Sequence, residues 1–448
     1  MKKPGLTALI CCLVLIPVTF FSWAEEAEVP VQMGLEQAIA YALTHNPRMQ
    51  AALAQVEGAQ ASLGVAKAIE APYMTLSASA RLQNPIQEMR PAGSPTATQI
   101  TREDPASATF QIVWPLWGGG RIEAAKGMAR ADLAAKEANL QQTVEQLIYE
   151  VGLAFYSVLD AGQQQLAAEA KVNEAQEKLR YAEAALKSGY VNTSEVALVK
   201  AALAQAEEAL GTAVNALVYS TKALNTALGR PFVLPIEPLP AVLDLGDLPE
   251  QEAAYEFALE RRPELLALSH PADSARYAVE RAKAEADPQL GLLGQYTVQT
   301  PTDTLPSHHE LVGLEFSWPF SDPTQSGQVG SAEAGTREVA ALREQLQQAI
   351  RLQVVEASFK VTEGRVRYGT AQQSLEAMRL AANKAEAAYK AGALLKRELL
   401  EATTARIQAE AGLERAGFAL DAASLNYARA LGLLRELLDT RQPEVEIQ

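Results

Sequence analysis

Beyond residue 12 the chain has no cysteine. A disulfide framework, a thiolate metal site and a thiol nucleophile are therefore excluded from nearly all of it. Histidine is scarce too, with four in 448 residues. Basic residues never run longer than a pair, and 39 of them face 54 acids for a net charge of -15. A protein that tracks phosphates needs a basic face, so nucleic acid is excluded as a partner. After residue 24 no stretch offers about 18 uncharged apolar residues, so no membrane-crossing helix is expected. Aromatics supply only 6% of a sequence that is 48% hydrophobic. Alanine fills much of the difference, which favours closely packed helices over a bulky core.

The first 24 residues differ from the rest. Lys2 and Lys3 precede an apolar stretch from Leu6 to Phe21, and Ser22-Trp23-Ala24 closes it. Residues 1–24 read as a secretory signal peptide cleaved after Ala24, with an uncleaved anchor as the alternative. Removing it takes both cysteines, Cys11 and Cys12, and leaves 37 basic against 54 acidic residues, a net charge of -17. The expected product is exported and is either soluble or enters a membrane as strands.

The remainder is a duplication. Asn46-Pro47 and Arg262-Pro263, then Ala71-Pro72 and Asp287-Pro288, recur at an offset of 216. Trp114-Pro115-Leu116 and Trp318-Pro319-Phe320 recur at 204, and Ala182 to Gly189 matches Ala385 to Gly392 at 203. The drop from 216 to 204 falls where Asn84 to Pro105 faces the shorter Thr300 to His309, a difference in loop length. A period this long is a duplicated structural half. The expected division is a first repeat over 25–230, a connector over 231–249 with five prolines, a second repeat over 250–432 and a tail over 433–448.

Each half repeats one order of elements. A short helix (Leu35 to Thr44; Glu250 to Glu260) precedes a second that follows its proline (Arg48 to Glu70; Glu264 to Ala286). Period-two alternation then predicts strands at about 73–84 and 106–117, and at about 288–300 and 309–320. Met74, Leu76, Ala78 and Ala80 alternate with Thr75, Ser77 and Ser79, and Phe110, Ile112 and Trp114 with Thr109 and Gln111. Long helical hairpins follow over 121–228 and 323–431, each turning at a glycine, Gly189 or Gly392.

Four strands cannot close a barrel, and an open sheet edge is not tolerated in lipid. Three chains would close twelve strands, with apolar residues to lipid and polar residues to the lumen. Trp114 and Trp318 are expected to end equivalent strands, where an interfacial aromatic girdle belongs, with Pro115 and Pro319 marking the crossing to helix.

With Leu35-Glu36-Gln37-Ala38, Asn46-Pro47, the junction Trp114 to Arg121 and the two glycine turns in this duplicated order, the chain resembles the TolC-like outer-membrane efflux protein (outer membrane factor) family from about Leu35 to Leu433. The resemblance implies a mainly α fold with a transmembrane β part: a homotrimer whose twelve-stranded barrel is continued by a long helical periplasmic barrel, with the connector and tail near its equator. It implies a passive exit duct for tripartite efflux or type I secretion. The partners would be a periplasmic adaptor, an inner-membrane pump of the RND, ABC or MFS type, and outer-membrane lipid. No cofactor, resident metal or catalytic residue is implied. The helix tips would meet the adaptor, through Gly189, Tyr190, Tyr389, Gly392 and Ala393. Glu398 and Glu401 occupy family positions for acids that line the entrance, and Glu195 is the first-repeat counterpart. Leu394 stands where some members carry a latching arginine, so a latch of another form would fall to Lys396 and Arg397. Threefold repetition would make the acids a negative, cation-binding constriction. The competing reading is that they cap the returning helices.

Three other signals carry less. Gly118-Gly119-Gly120-Arg121 lacks the ending of a phosphate loop and reads as a junction. His308-His309 reads as an exposed pair, not a metal site. No nucleophile is set beside a base. A periplasmic coiled-coil scaffold or adhesin is the alternative function.

Overall fold

A computed structural model describes residues 31–82, 84, 87–90, 92–93, 95–100, 103–240, 251–302 and 306–435. The expected signal peptide, the connector from 241 on and the tail from 436 on lie outside the described residues.

In the first half, β1 (Val31–Met33), α1 (Leu35–His45) and α2 (Pro47–Ala68) precede β2 (Tyr73–Ala80). A small hairpin of β3 (Glu88–Met89) and β4 (Thr98–Gln99) leads to β5 (Ala106–Trp117), then α3 (Arg121–Lys187) and α4 (Thr193–Leu228). After β6 (Ile236–Pro238) come α5 (Gln251–Arg261), α6 (Pro263–Ala284), β7 (Gln289–Gln299), β8 (His308–Ser317), α7 (Gln325–Lys390) and α8 (Lys396–Leu431). No helix among the described residues is long and apolar enough to cross a membrane.

Asn46 separates α1 from α2 and is buried. Its Oδ1 accepts from the Arg48 N–H at 2.8 Å, and its Nδ2 donates to the Ala227 carbonyl at 2.7 Å. Pro47 then occupies the first helical turn, where its missing N–H costs nothing. Pro263 repeats the device in α6. The 67 residues of α3 reach roughly 100 Å at 1.5 Å per residue.

The four long strands form one antiparallel sheet in the order β2-β5-β7-β8. The two expected pairs are thus joined through β5 and β7. β5 has the expected span of 106–117, but Trp114 does not end it: the strand continues through Pro115 to Trp117, with a break in register between Pro115 and Trp117. A proline lacks the ladder donor and is accommodated at such a bulge. β8 ends at Ser317, so Trp318 lies just beyond its strand. The connector also contributes more than a link, because β6 pairs in parallel with β1.

The core lies halfway along the long helices. α1, β1 and β6 pack on α3 there, around Leu147, Val151, Phe155, Leu224 and Leu228. A second cluster joins α5 and the start of α6 to Ile350 and Val354 of α7 and Leu431 of α8. Leu434, placed by expectation in the tail, is buried in the first cluster. Along its length α3 packs on α2, α4, α6 and α8, whereas α7 packs on α5, α6 and α8.

Candidate functional site

The first candidate surface is the sheet. Leu76 lies opposite Phe110, which lies opposite Tyr296. Met74, Ile112, Gly294 and Val312 form the next row, and Trp114, Leu292 and Leu314 another. Because side chains alternate with period two, these rows share one face. Leu76, Val312, Leu314 and Phe316 are exposed on it. The opposite face carries rows of hydroxyls and amides, Thr75, Gln111 and Gln295, then Ser77, Thr109, Thr297 and His309, together with an apolar row of Tyr73, Val113 and Leu293 and with Leu311 opposite Gln295. Thr109 and Thr297 hydroxyls pair at 3.1 Å, as do Ser79 and Ser107 at 3.2 Å. Among the described residues β2 and β8 each have one neighbouring strand, so the sheet has two free edges.

The two tryptophans differ. Trp114 donates its indole N–H to the Glu70 carbonyl at 3.1 Å, which ties β5 to the end of α2. Trp318 meets Phe320 edge-on, with ring centroids 6.3 Å apart.

The second candidate surface is the pair of helix tips. At the end of α3, Tyr190 N–H donates to Ala185 and Gly189 N–H to Leu186. Ala393 and Gly392 repeat both bonds, to Ala388 and Tyr389. This double closure requires a left-handed residue, and φ is 76° at Gly189 and 73° at Gly392. The tips leave Gly189, Tyr190, Tyr389, Gly392 and Ala393 exposed, Tyr190 to 86%.

The three expected acids have different surroundings. Glu195 sits in the first turn of α4, and its N–H is capped by Asn192 Oδ1 at 2.9 Å. Glu398 turns back to accept from the Leu395 N–H at 3.1 Å, so it caps α8. Glu401 faces α3, where Lys178 Nζ approaches to 2.7 Å. The structure therefore sets Glu398 and Glu401 in the first turns of one helix and Glu195 on another.

The groups on α3 that meet α8 were not singled out from the sequence. Lys178 also pairs with Glu174 at 2.7 Å, and Lys171 reaches Glu174 at 3.0 Å. Lys396 lies 3.7 Å from Glu177. Burial alone would push Glu174 up, but hydrogen bonds from Lys178 and Lys171 hold its carboxyl below the ordinary range. Burial likewise works against the Lys178 charge, and its bonds to Glu174 and Glu401 overcome it and raise its pKa. The spacing of Glu174, Glu177 and Lys178 on one helical face was visible; the helix opposite was not.

The outer membrane efflux protein family matches residues 38–230 and 254–433. No curated protein matches the chain. Among solved structures, the CmeC outer membrane channel of Campylobacter jejuni superposes with a TM-score of 0.73 at 17% identity, over 89% of this chain and 85% of that one. The outer membrane protein VceC of Vibrio cholerae gives 0.69 at 20%, over 89% and 96%. The open-state MtrE outer membrane channel of Neisseria gonorrhoeae gives 0.65 at 18%, over 89% of each.

Proposed function

Because the chain belongs to the outer membrane efflux protein family, and so resides in the outer membrane with its helices in the periplasm, we propose that it is the exit-duct subunit of a tripartite efflux or type I secretion system. Three copies close their sheets into one twelve-stranded barrel, and the long helices continue it as a periplasmic tube. The observation that carries this reading is the register. It sets Leu76, Phe110, Ile112, Trp114, Leu292, Val312 and Leu314 on one face, where Glu310 ends one row, and leaves β2 and β8 as free edges. Since β2 and β8 run in opposite directions, β8 of one copy beside β2 of the next continues the antiparallel order around a ring. Lipid covers the apolar face, and the hydroxyl and amide face lines the lumen.

In this reading Trp114 and Trp318 lie at the membrane interface. The described part of the connector, with β6 against the middle of α3, belongs to the equator. An adaptor docks at the tips around Tyr190 and Ala393, and an inner-membrane pump supplies the energy; the duct performs no chemistry. Glu195, Glu398 and Glu401 face the entrance. Lys178 offsets part of the charge of Glu401, and Arg397, 4.0 Å from Glu398, offsets part of that one.

Detergent extraction, native mass and planar-bilayer conductance test this together. A trimeric mass from the outer-membrane fraction is expected, with conductance blocked by divalent cations. Release by osmotic shock without detergent would sink the duct reading in favour of a periplasmic scaffold. Glu398→Ala with Glu401→Ala is expected to weaken the block several-fold; unchanged block removes the acids from the entrance.

A further inference from the structure

Each half of the duplication has a cavity at its helix break, and the two cavities are repeat equivalents. The first lies around Asn46, Glu150 and Thr226. The second lies around Arg262, Gln353 and Arg429, the same positions moved by 216 or 203, and has a volume of about 200 Å³. Their charges differ. Arg262, Arg429 and Lys360 line the second cavity, where the first half has the uncharged Asn46, Thr226 and Ser157. Gln353 stands where the first half has the acid Glu150. Acids enter as well: Glu356 replaces Leu153, and Glu264 replaces Arg48.

These acids leave donors unused. Glu356 takes Lys360 at 2.6 Å, and Glu264 takes one terminal nitrogen of Arg262 at 2.8 Å. The other terminal nitrogen of Arg262 donates to Gln353. Arg262 is only 3% exposed, and its Nε is buried with no partner among the described residues. Arg429 makes no ion pair among the described residues, and its guanidinium lies over the Tyr149 ring, 4.5 Å from the centroid. Stacking covers the face of a guanidinium and leaves the N–H donors at its edge. Burial is the main influence lowering the Arg262 pKa, and the neighbouring Arg429 charge adds to it against the pull of Glu264 and Glu145. A buried donor without an acceptor is costly, and so is a like charge beside it. The first-half cavity has no such deficit. Asn46 bonds through both its side-chain atoms, and Arg48 pairs with Glu150 at 2.5 Å.

We propose that the second-half cavity binds a small multivalent oxyanion of the phosphate or sulfate class. Arg262 Nε, the edge of Arg429 and Lys360 supply the charged donors, and Asn426 of the lining supplies a neutral one. An oxyanion of this class offers several acceptor oxygens at once, and bonds between two ionised groups are the strong ones. At ~30 Å³ per water the cavity has room for such an ion with part of its hydration. Tyr149 lies roughly 40 Å along α3 from the sheet at 1.5 Å per residue, beyond a lipid headgroup, so the ion is a free one from the periplasm. The lining comes from α3, the start of α6, α7 and α8, so a bound ion ties the second half to the first. The site lies within one chain and depends on neither the trimer nor the duct reading.

Equilibrium dialysis of radiolabelled inorganic phosphate against the detergent-extracted full chain tests this, in sodium chloride at constant ionic strength. Saturable binding of one phosphate per chain is expected in the millimolar range or tighter, displaced by sulfate. Arg429→Gln removes a charged donor and is expected to weaken binding on the order of tenfold. Lys360→Gln, at an exposed position, is expected to weaken it several-fold. Lys222→Gln, in the lining of the first-half cavity, is expected to leave it unchanged. Circular dichroism and native mass establish that each variant is folded, and if Arg429→Gln is not, Lys360→Gln decides alone. Absence of saturable binding overturns the site. So does binding that both second-half variants retain in full, or that Lys222→Gln abolishes. Melting temperature gives a second readout. Phosphate is expected to raise it with saturation in the wild type and less in Arg429→Gln. General exclusion of phosphate from protein surface acts on both chains alike, so equal, unsaturating gains overturn the proposal.

Discussion

Glu145 is an acid held where charge is costly. It is buried on α3, and burial, followed by the negative charge of Glu264, pushes its pKa from 4.5 up to about 7. Arg262, Arg429 and Arg435 pull the other way without restoring the ordinary value. A folded pKa above the unfolded one means the folded chain holds the proton more tightly. Stability is then greatest below about pH 4.5 as far as this group is concerned, and falls as pH rises toward 7. Asp421, raised to about 6 by burial, acts in the same sense. Glu145→Gln should therefore raise the melting temperature at pH 8, by an effect on the order of 2 kcal/mol, and change little at pH 4. Thermal unfolding in detergent at both pH values checks this; an equal gain at both would assign the effect to packing.

Two glycines that look alike in the sequence close helices under different constraints. Gly189 needs only its left-handed φ, since a Cβ there would meet nothing within 4 Å. Gly229 has φ of 74°, and a Cβ would also lie 2.8 Å from the Asn46 Cα. Gly432 repeats this approach against Arg261. The end of each returning helix is thus pressed against the helix break of its own half. Gly189→Ala should cost about 1 kcal/mol from backbone strain alone. Gly229→Ala should cost clearly more, because it also displaces Asn46 and its buried bond to Ala227. Melting temperatures of the two variants decide it, and equal losses would refute the close-contact argument.

For the molecule as a whole, the decisive property is which face each strand residue occupies. Neighbours Leu76 and Ser77 point to opposite faces, in rows with Phe110 and Thr109. A cation facing lipid costs about 2–4 kcal/mol at mid-depth, and one facing a wet lumen costs little. Leu76→Arg should sharply reduce the trimer recovered from the outer membrane, while Ser77→Arg should be recovered near the wild-type level. Quantifying trimer in the membrane fraction checks both, and equal recovery would contradict the assignment of faces.

Periodicity made much of the fold legible. Alternation from Met74 to Ala80 can satisfy only a strand, and the proline-free run from Arg121 to Lys187 only a long helix. The recurrence of Gly189 as Gly392 marked both tips, and Asn46-Pro47 marked a helix break. The sequence could not disclose that β5 joins β7, because strand pairing depends on contacts between halves that lie far apart in the chain. Nor could it decide the state of the acids: Glu398 bonds to its own helix end, and Glu401 to a lysine 223 positions away. Local pattern is set by neighbouring residues and is written in the chain. Which charge meets which, and which helix face is left bare, is settled only when distant segments are brought together.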